Sequence, residues 1–255
     1  MTIGHQVMSQ NITSCAPIVK PEIGNTRPVH SGSLSTPTRT TLSLKHMSAN
    51  DNTVELIGTY GGDESHALSA WTSTSRELSD EKRGRINKML TTLAEAGHHT
   101  PFEKSDLHFL VTTDIASHIH IIKHRIGVSV NAESARYKEL KEDKIYIPQD
   151  WPLEERLIFL QDMEQQYEKY HEMLERLVKD HGFTRKRAKE SARFYLPYAN
   201  QITADVSFNF RSFMHFQGLR NSEHAQVEIR VIAQEMLRLV KETGQFDLSL
   251  KAFGY

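Results

Sequence analysis

A strand pattern changes abruptly into a helix pattern within residues 107–122, Leu-His-Phe-Leu-Val-Thr-Thr-Asp-Ile-Ala-Ser-His-Ile-His-Ile-Ile. The β-branched and aromatic residues over 107–113 predict a strand. Asp114 follows immediately and predicts the N-cap of a short helix that reaches about Lys123. A strand that runs straight into a helix indicates a fold in which the two element types are mixed.

The rest of the chain shows the same mixture of strands and helices. Strands are predicted over residues 53–58, 144–148 and 202–208. Helices are predicted over residues 79–96, 153–182, 184–193, 209–219 and 223–242. Because there is no internal repeat and no regular β-α alternation, an α+β fold is favoured over a doubly wound parallel sheet.

Composition divides the chain into a tail and a body. Residues 1–50 are rich in Ser, Thr, Pro and Asn without apolar periodicity, so they predict a poorly ordered extension, and residues 51–255 predict a single domain. With 31 basic and 32 acidic residues, the overall charge favours neither nucleic acid nor membrane as a partner. Cys15 is the only cysteine, no apolar run is long enough to span a membrane, and no signal peptide is visible. These features predict a cytoplasmic protein.

Residues 123–137 concentrate the polar chemistry of the chain. The run Lys-His-Arg-Ile-Gly-Val-Ser-Val-Asn-Ala-Glu-Ser-Ala-Arg-Tyr brings together cationic, imidazole, hydroxyl, amide and phenol groups. Such a set can hold an anion that carries phosphates and can hydrogen-bond the edge of a flat heterocycle. A basic helix end that compensates its own dipole would account for Lys123 and Arg125, but it gives no reason for the polar residues that follow.

Three further clusters carry chemical information. Residues 98–103, His-His-Thr-Pro-Phe-Glu, form a predicted loop after a helix stop at Gly97. Residues 209–212 open a predicted helix on which residues 211, 215 and 219 share one face, so Arg211 and His215 point the same way. Residues 220–230 place a cationic loop before a helix N-terminus, which favours an anion. Taken singly, each cluster is also compatible with a solvated surface or a salt-bridge network. A zinc site would need a third ligand, which neither a cysteine nor a His-Glu-x-x-His run supplies.

Together the four clusters resemble sequence blocks of the flavin-dependent thymidylate synthases, in the order found in that family. The family's His-x-Thr-Pro-Phe-Glu block is similar to residues 98–103, and its Ser-x-Asn-x-x-Ser-x-Arg-Tyr half-motif is similar to residues 129–137. Its Ala-Arg-x-x-Leu-Pro, Asn-x-Arg-Ser and Arg-x(4)-Ala-Gln-x-Glu-Ile blocks are similar to residues 192–197, 209–212 and 220–229. The resemblance covers about residues 52–243 and includes Gly61-Gly62-Asp63 at its start.

The resemblance implies a fold and an activity. The fold is a single α+β domain with a mixed, mainly antiparallel sheet flanked by long helices. The activity is FAD-dependent methylation of dUMP to dTMP, with 5,10-methylenetetrahydrofolate as carbon donor and NADPH as reductant, and without a protein nucleophile. A homotetramer with shared active sites is also implied, with no nucleic-acid or membrane partner. Since no protein nucleophile is needed, the lack of a cysteine in the body of the chain is expected.

The resemblance also implies a role for each matching residue. Arg220 is implied as the catalytic arginine, which polarises the pyrimidine by stabilising negative charge on the ring. The implied dUMP contacts are His120, Lys123, Glu133, Ser134, Ala135, Arg136, Arg193 and Arg220, with Arg193 donated by a neighbouring subunit. The implied FAD contacts are His98, Thr100, Lys123, His124, Arg125, Asn209, Arg211 and His215. No metal site is implied.

Three positions depart from the family's pattern. Lys123 replaces the first arginine of an Arg-His-Arg motif and loses its bidentate fork. The segment 126–133 is one residue longer than the family's corresponding gap, which predicts a local bulge within residues 126–128. Ala132 stands where the family usually has Glu or Gln. A non-catalytic or retuned flavin- or nucleotide-binding paralogue is therefore an alternative, and a metal-dependent hydrolase is a more distant one.

Overall fold

A four-stranded antiparallel sheet lies at the centre of the residues that the computed structural model describes, which are 48–49, 51–75, 77–139 and 144–255. The strands are β1 (Ser48–Ala49), β2 (Thr53–Tyr60), β3 (Asp106–Asp114), β4 (Val128–Ala132), β5 (Lys144–Ile145) and β6 (Gln201–Phe208). The sheet has the order β2-β3-β6-β4, while β1 pairs separately and in parallel with β5. The predicted α+β class with a mainly antiparallel sheet is confirmed. Apart from β1, the predicted extension over residues 1–50 lies outside the described residues.

β3 is one of the two inner strands of the sheet, and its side chains alternate between the core and the opposite face. Leu107, Phe109 and Val111 are fully buried, whereas the residues between them are half-buried, so one face of β3 packs on the core. The strands predicted over 53–58, 107–113 and 202–208 are confirmed with small extensions. β4 was not predicted, because the alternating run Val-Ser-Val-Asn-Ala was interpreted as ligand chemistry and not as a strand pattern.

The helices are α1 (Asp63–Trp71), α2 (Asp80–Arg83), α3 (Ile86–Glu95), α4 (Ile115–Ile122), α5 (Leu153–Lys179), α6 (Arg185–Ala192), α7 (Phe210–Arg220), α8 (Val227–Glu242) and α9 (Asp247–Ala252). The N-caps predicted at Asp114 and Thr184 are confirmed, since each side chain accepts a hydrogen bond from the backbone N–H three residues on. Asp114 Oδ1, for example, lies 2.8 Å from the N atom of Ser117. The direct passage from β3 into α4 therefore occurs where the sequence predicts it.

Some helices differ from the prediction. The single helix predicted over 79–96 is divided into α2 and α3 by a turn at Gly84 and Arg85. The helix predicted over 223–242 begins only at Val227, because the residues before it form turns after α7. The helices α1 and α9 were not predicted, since both are short and neither has a marked apolar stripe.

The apolar core has two parts. The larger part lies between one face of the sheet and helices α3, α7, α8 and α9, and its largest members are aromatic residues such as Phe208 and Phe213. The smaller part joins α5 and α6 around Tyr167 and Tyr170. Burying each such side chain contributes roughly 1.5–3 kcal/mol. The larger part fixes the position of α7 against the sheet, and this helix carries much of the candidate site.

Candidate active site

A cavity of about 720 Å³ opens beside the C-terminal end of α4, the turn before β4 and one face of α7. This volume falls within the range of about 300–1,000 Å³ that is usual for small-molecule and cofactor sites. Its lining combines cationic and imidazole groups with an apolar wall: His99, Lys123, His124, Arg125, Ile126, Val128, Arg211, Ser212, Met214, His215, Gly218, Leu219, Arg220 and Phe253. Such a lining suits a large anion that carries a flat apolar ring system.

Helix α7 presents its polar face to this cavity because its aromatic face is buried. Phe210, Phe213 and Phe216 are fully buried in the core, which leaves Arg211 and His215 facing the cavity, as the four-residue spacing predicts. Arg211 also donates a hydrogen bond of 2.6 Å to a carboxylate oxygen of Glu103, at the end of the 98–103 cluster. Two of the predicted clusters therefore meet at this point.

The turn at residues 126–127 is locked to the N-terminus of α7. Gly127 has a φ of +63°, and its carbonyl accepts a hydrogen bond of 2.9 Å from the Asn209 N–H. The Ser212 hydroxyl donates a hydrogen bond of 2.6 Å to the Ile126 carbonyl, and Asn209 Oδ1 caps α7 by accepting from the Ser212 N–H. The region in which a bulge was predicted is thus a left-handed turn ahead of β4, and the register of β4 with β6 is regular.

Arg220 and His124 are in direct contact inside the cavity. Burial lowers the pKa of His124 to about 4, and the positive charge of Arg220 acts in the same direction. The imidazole is therefore neutral near pH 7, and its Nε2 accepts a hydrogen bond of 3.1 Å from Arg220 Nε, which places the ring proton on Nδ1. The guanidinium is oriented by a neutral partner, so its positive charge is available to a ligand.

A second, smaller cavity of about 340 Å³ shares His124 and Arg125 with the first. It lies between α4 and β4, and its other lining residues include His118 and Ala132. Burial lowers the pKa of His118, which favours the neutral form of its imidazole. The arrangement provides two neighbouring compartments with a basic residue, Arg125, on their common border.

The segment after β4 that is predicted to contact the nucleotide is held by contacts to α6 and β6. Arg136 Nε donates a hydrogen bond of 2.7 Å to the carboxylate of Glu190, and Glu133 accepts hydrogen bonds from Lys138 Nζ and from the Thr203 N–H. Ser134 Oγ accepts a 3.3 Å hydrogen bond from the Arg136 N–H. This segment is therefore held beside the site by ion pairs and backbone contacts.

The structure brings some predicted residues to the larger cavity and leaves others outside its lining. Those that line it are Lys123, His124, Arg125, Arg211, His215 and Arg220. Those outside its lining are His98, Thr100, His120, Glu133, Ser134, Ala135, Arg136, Arg193 and Asn209. His120 Nε2 lies 3.2 Å from the side-chain oxygen of Gln226, Asn209 serves as the α7 cap, and His98, Thr100 and Arg193 are exposed.

Sequence reasoning missed His99 and Phe253, which both line the cavity. Their ring centroids are 5.2 Å apart, although the two residues are far apart in the chain. The paired histidines at 98–99 are a usable signal for His99, although the family's motif matches His98. Phe253 gave no signal, since nothing in the sequence near the C-terminus indicates a ligand site.

Two features of the described residues concern metal binding and membrane crossing. Within residues 48–49, 51–75, 77–139 and 144–255, no group of three His, Cys, Asp or Glu side chains is arranged to hold a metal ion. Among the same residues, no helix is both long and apolar enough to cross a membrane.

Comparison with known proteins gives a consistent picture. Residues 55–243 match the family described as thymidylate synthase complementing protein. The flavin-dependent thymidylate synthase of Pseudothermotoga lettingae is 32% identical over 195 residues, covering 74% of this chain and 84% of the relative. The enzyme of the same name from Clostridium tetani is 33% identical over 180 residues, covering 67% of this chain and 71% of the relative.

A solved structure is also similar over most of the chain. The UMP/dUMP methylase PolB from Streptomyces cacaoi, bound with 5-Br dUMP, superposes with a TM-score of 0.67 and 27% identity. The match covers 82% of this chain and 96% of PolB. PolB bound with 5-Br UMP gives a TM-score of 0.65 at 25% identity.

Proposed function

Because the chain belongs to the flavin-dependent thymidylate synthase family, we propose that it converts dUMP to dTMP with FAD, 5,10-methylenetetrahydrofolate and NADPH. The balanced reaction consumes dUMP, methylenetetrahydrofolate, NADPH and a proton, and it yields dTMP, tetrahydrofolate and NADP⁺. The only cysteine, Cys15, lies outside residues 55–243, which match the family. This position supports a mechanism in which no protein group attacks the nucleotide.

The observation that carries the proposal is the convergence of separate sequence blocks on one cavity. Residues 123–125, the pair Arg211 and His215, and Arg220 come from three blocks and line the same space. A solvated basic patch would give no reason for the apolar wall formed by residues such as Met214. Cations beside an apolar wall fit a flavin dinucleotide, because the cations can pair with its pyrophosphate and the wall can cover its isoalloxazine ring.

The chain's own residues have distinct tasks in this reaction. Bound FAD would supply the redox chemistry that reduces the transferred carbon. Arg220 stabilises negative charge on the pyrimidine ring. The neutral imidazole of His124 holds the guanidinium in place by accepting a hydrogen bond from Arg220 Nε. Lys123 and Arg125 provide positive charge for phosphate groups, and Lys123 does so as a point charge instead of a bidentate fork.

Arg136 and Arg193 are proposed to hold the phosphate of dUMP. Arg136 forms an ion pair with Glu190, and a bound phosphate would take the place of this carboxylate as its partner. Arg193 is exposed and lies outside the lining of both cavities of its own chain. On the family's pattern, Arg193 would reach the site of a neighbouring subunit in a homotetramer, and gel filtration with light scattering would test that assembly.

A spectroscopic experiment tests the proposed function. Purified protein is incubated with FAD, and its absorbance is followed during anaerobic addition of NADPH, with and without dUMP. We expect bound oxidised flavin that NADPH bleaches, and formation of dTMP once methylenetetrahydrofolate is added. A protein that shows no flavin absorbance and does not rescue a thymidine auxotroph would refute the proposal. Bound flavin without turnover would instead support the non-catalytic paralogue.

The likeness to PolB favours a second substrate candidate. PolB is a methylase of UMP as well as dUMP, and its structures hold analogues of both nucleotides. The same assay run with UMP in place of dUMP distinguishes the two candidates through the ratio of their kcat/KM values. A ratio that favours UMP would assign this chain to ribonucleotide methylation.

A further inference from the structure

The Gly61-Gly62-Asp63 motif contacts the C-terminal segment of the chain, and the proposed function gives it no role. The Asp63 N–H donates a hydrogen bond of 3.0 Å to the carbonyl of Gln245. Gly62 has a φ of +140°, and a Cβ atom there would lie 2.7 Å from that same carbonyl oxygen. The motif therefore permits a close approach between the start of α1 and the segment that leads into α9.

The Asp63 carboxylate holds the first turn of α9. It accepts hydrogen bonds from the N–H groups of Leu248 and Ser249, at 2.9 and 2.8 Å, and from the Ser249 hydroxyl at 2.6 Å. α9 has no capping side chain of its own, so Asp63 performs that task from a residue nearly the whole domain away in sequence.

His66 extends this contact into the core. It is fully buried, its Nδ1 lies 2.8 Å from Ser249 Oγ, and its Nε2 lies 2.9 Å from Ser105 Oγ. Burial lowers the pKa of His66 to about 4, so the ring is neutral and one of its nitrogens donates while the other accepts. Because the Ser249 hydroxyl donates to Asp63, it accepts from His66 Nδ1–H, and Nε2 accepts from the Ser105 hydroxyl. Every donor in this buried series of hydrogen bonds therefore has an acceptor.

We call Asp63, His66, Ser105 and Ser249 the C-terminal clamp. It determines where the end of α9 lies, and Phe253 follows directly after that helix. The ring of Phe253 packs 4.9 Å from Phe102, which in turn packs 5.3 Å from His66. Phe253 also lines the larger cavity. The clamp and the cavity wall are therefore connected through one helix and one aromatic cluster.

We infer that the clamp holds Phe253 in place as an apolar wall against the flat ring system of the flavin. Asp63, His66 and Ser249 are accordingly positioning residues, which act on the cofactor only through Phe253. The identity of the ligand rests on the proposed function, whereas the connection from the clamp to Phe253 rests on the contacts above.

The first test compares two substitutions on the same segment. Phe253→Ala removes the wall, and it is expected to weaken FAD binding about tenfold, measured as Kd from the quenching of flavin fluorescence. Lys251→Ala is the matched control, since this side chain is exposed on α9, and it is expected to leave Kd unchanged. Equal Kd values for wild type, Phe253→Ala and Lys251→Ala would overturn the inference while leaving the proposed function intact.

The second test asks whether the clamp acts through Phe253. Ser249→Ala is expected to lower Tm and to weaken FAD binding by a factor of about three, because α9 is less firmly held. In a Phe253→Ala background the same substitution should still lower Tm, but it should add nothing to Kd. An equal loss of affinity in both backgrounds would show that Ser249 acts by another route.

If Ser249→Ala fails to fold, Phe253→Leu provides a second measurement. Its Kd for FAD should lie between those of wild type and Phe253→Ala, and a Kd equal to that of wild type would contradict the role of Phe253 as a wall.

If the wild-type protein binds no flavin, both the proposed function and the assignment of flavin as the ligand beside Phe253 are refuted. Flavin binding that is unaffected by Phe253→Ala refutes only the role of the wall. The two failures therefore produce different results in the same titration.

Discussion

Replacing Gly127 with alanine is expected to destabilise the protein by about 3 kcal/mol. Gly127 has a φ of +63°, which costs an L-residue roughly 1–2 kcal/mol. A Cβ atom at this position would overlap Asn209 Nδ2 and would lie 2.5 Å from Ser212 Oγ. Moving Asn209 weakens the cap of α7 at a cost of about 1 kcal/mol, and losing the hydrogen bond from Ser212 to Ile126 adds about 1 kcal/mol.

Gly97→Ala provides the matched control for this prediction. Gly97 has a φ of +72°, but a Cβ atom there meets nothing within 4 Å. Both substitutions carry the conformational cost and the same gain from restricting the unfolded chain, so their difference isolates the close packing at Gly127. We expect Gly127→Ala to be less stable than Gly97→Ala by about 2 kcal/mol.

Urea denaturation of the two variants measures this difference from the midpoints at unchanged m-value. FAD binding provides a second readout, because the turn at Gly127 directly follows Arg125 and Ile126 in the cavity wall. Gly127→Ala should weaken FAD binding, whereas Gly97→Ala should not. If the free energies of unfolding of the two variants agree within about 0.5 kcal/mol, the reasoning from close packing is wrong.

Three further predictions concern charge. Arg220→Ala should reduce turnover by roughly 100-fold or more, since a fixed electrostatic donor is lost. It should also raise the pKa of His124 in an NMR titration, because the positive charge of Arg220 lowers that pKa. Unchanged turnover would refute the assigned role. Glu190→Gln frees Arg136 from its ion pair and should tighten dUMP binding about two- to fivefold by calorimetry, whereas weaker binding would contradict the proposed exchange of partners. The folded-state pKa of His66 lies below its unfolded value of 6.5, so its contribution to stability is complete above pH 6.5 and is lost as pH falls towards 4. This loss amounts to about 3 kcal/mol, and it should be absent from urea unfolding of His66→Gln over the same pH range.

Local patterns in the sequence account for most of the secondary structure. The N-caps at Asp114 and Thr184 and the stop at Gly97 were predicted because each depends only on neighbouring residues. The break between α2 and α3 was missed, since the residues around Gly84 keep a helical composition. The strand β4 was missed because its five residues carry both a strand pattern and a ligand-binding motif.

The candidate site was only partly predictable. Lys123, His124, Arg125, Arg211, His215 and Arg220 were all named from sequence blocks, and all line one cavity. The contact between Arg220 and His124 was not foreseen, since these residues are far apart in the chain. The pairing of Arg136 with Glu190 was also unforeseen, because the ion pair depends on how α6 packs beside the segment after β4.

The sequence by itself determined the fold class, the family and the residue types that the site needs, because periodicity, caps and motif spacing are written into short segments. Only the tertiary structure decided that His99 and Phe253 complete the cavity wall, and that Gly62 and Asp63 hold the C-terminal helix. These features arise from contacts between segments far apart in the chain, such as the one between Asp63 and Ser249, which are 186 residues apart. Contacts of this kind depend on packing of the whole core, which no local pattern records.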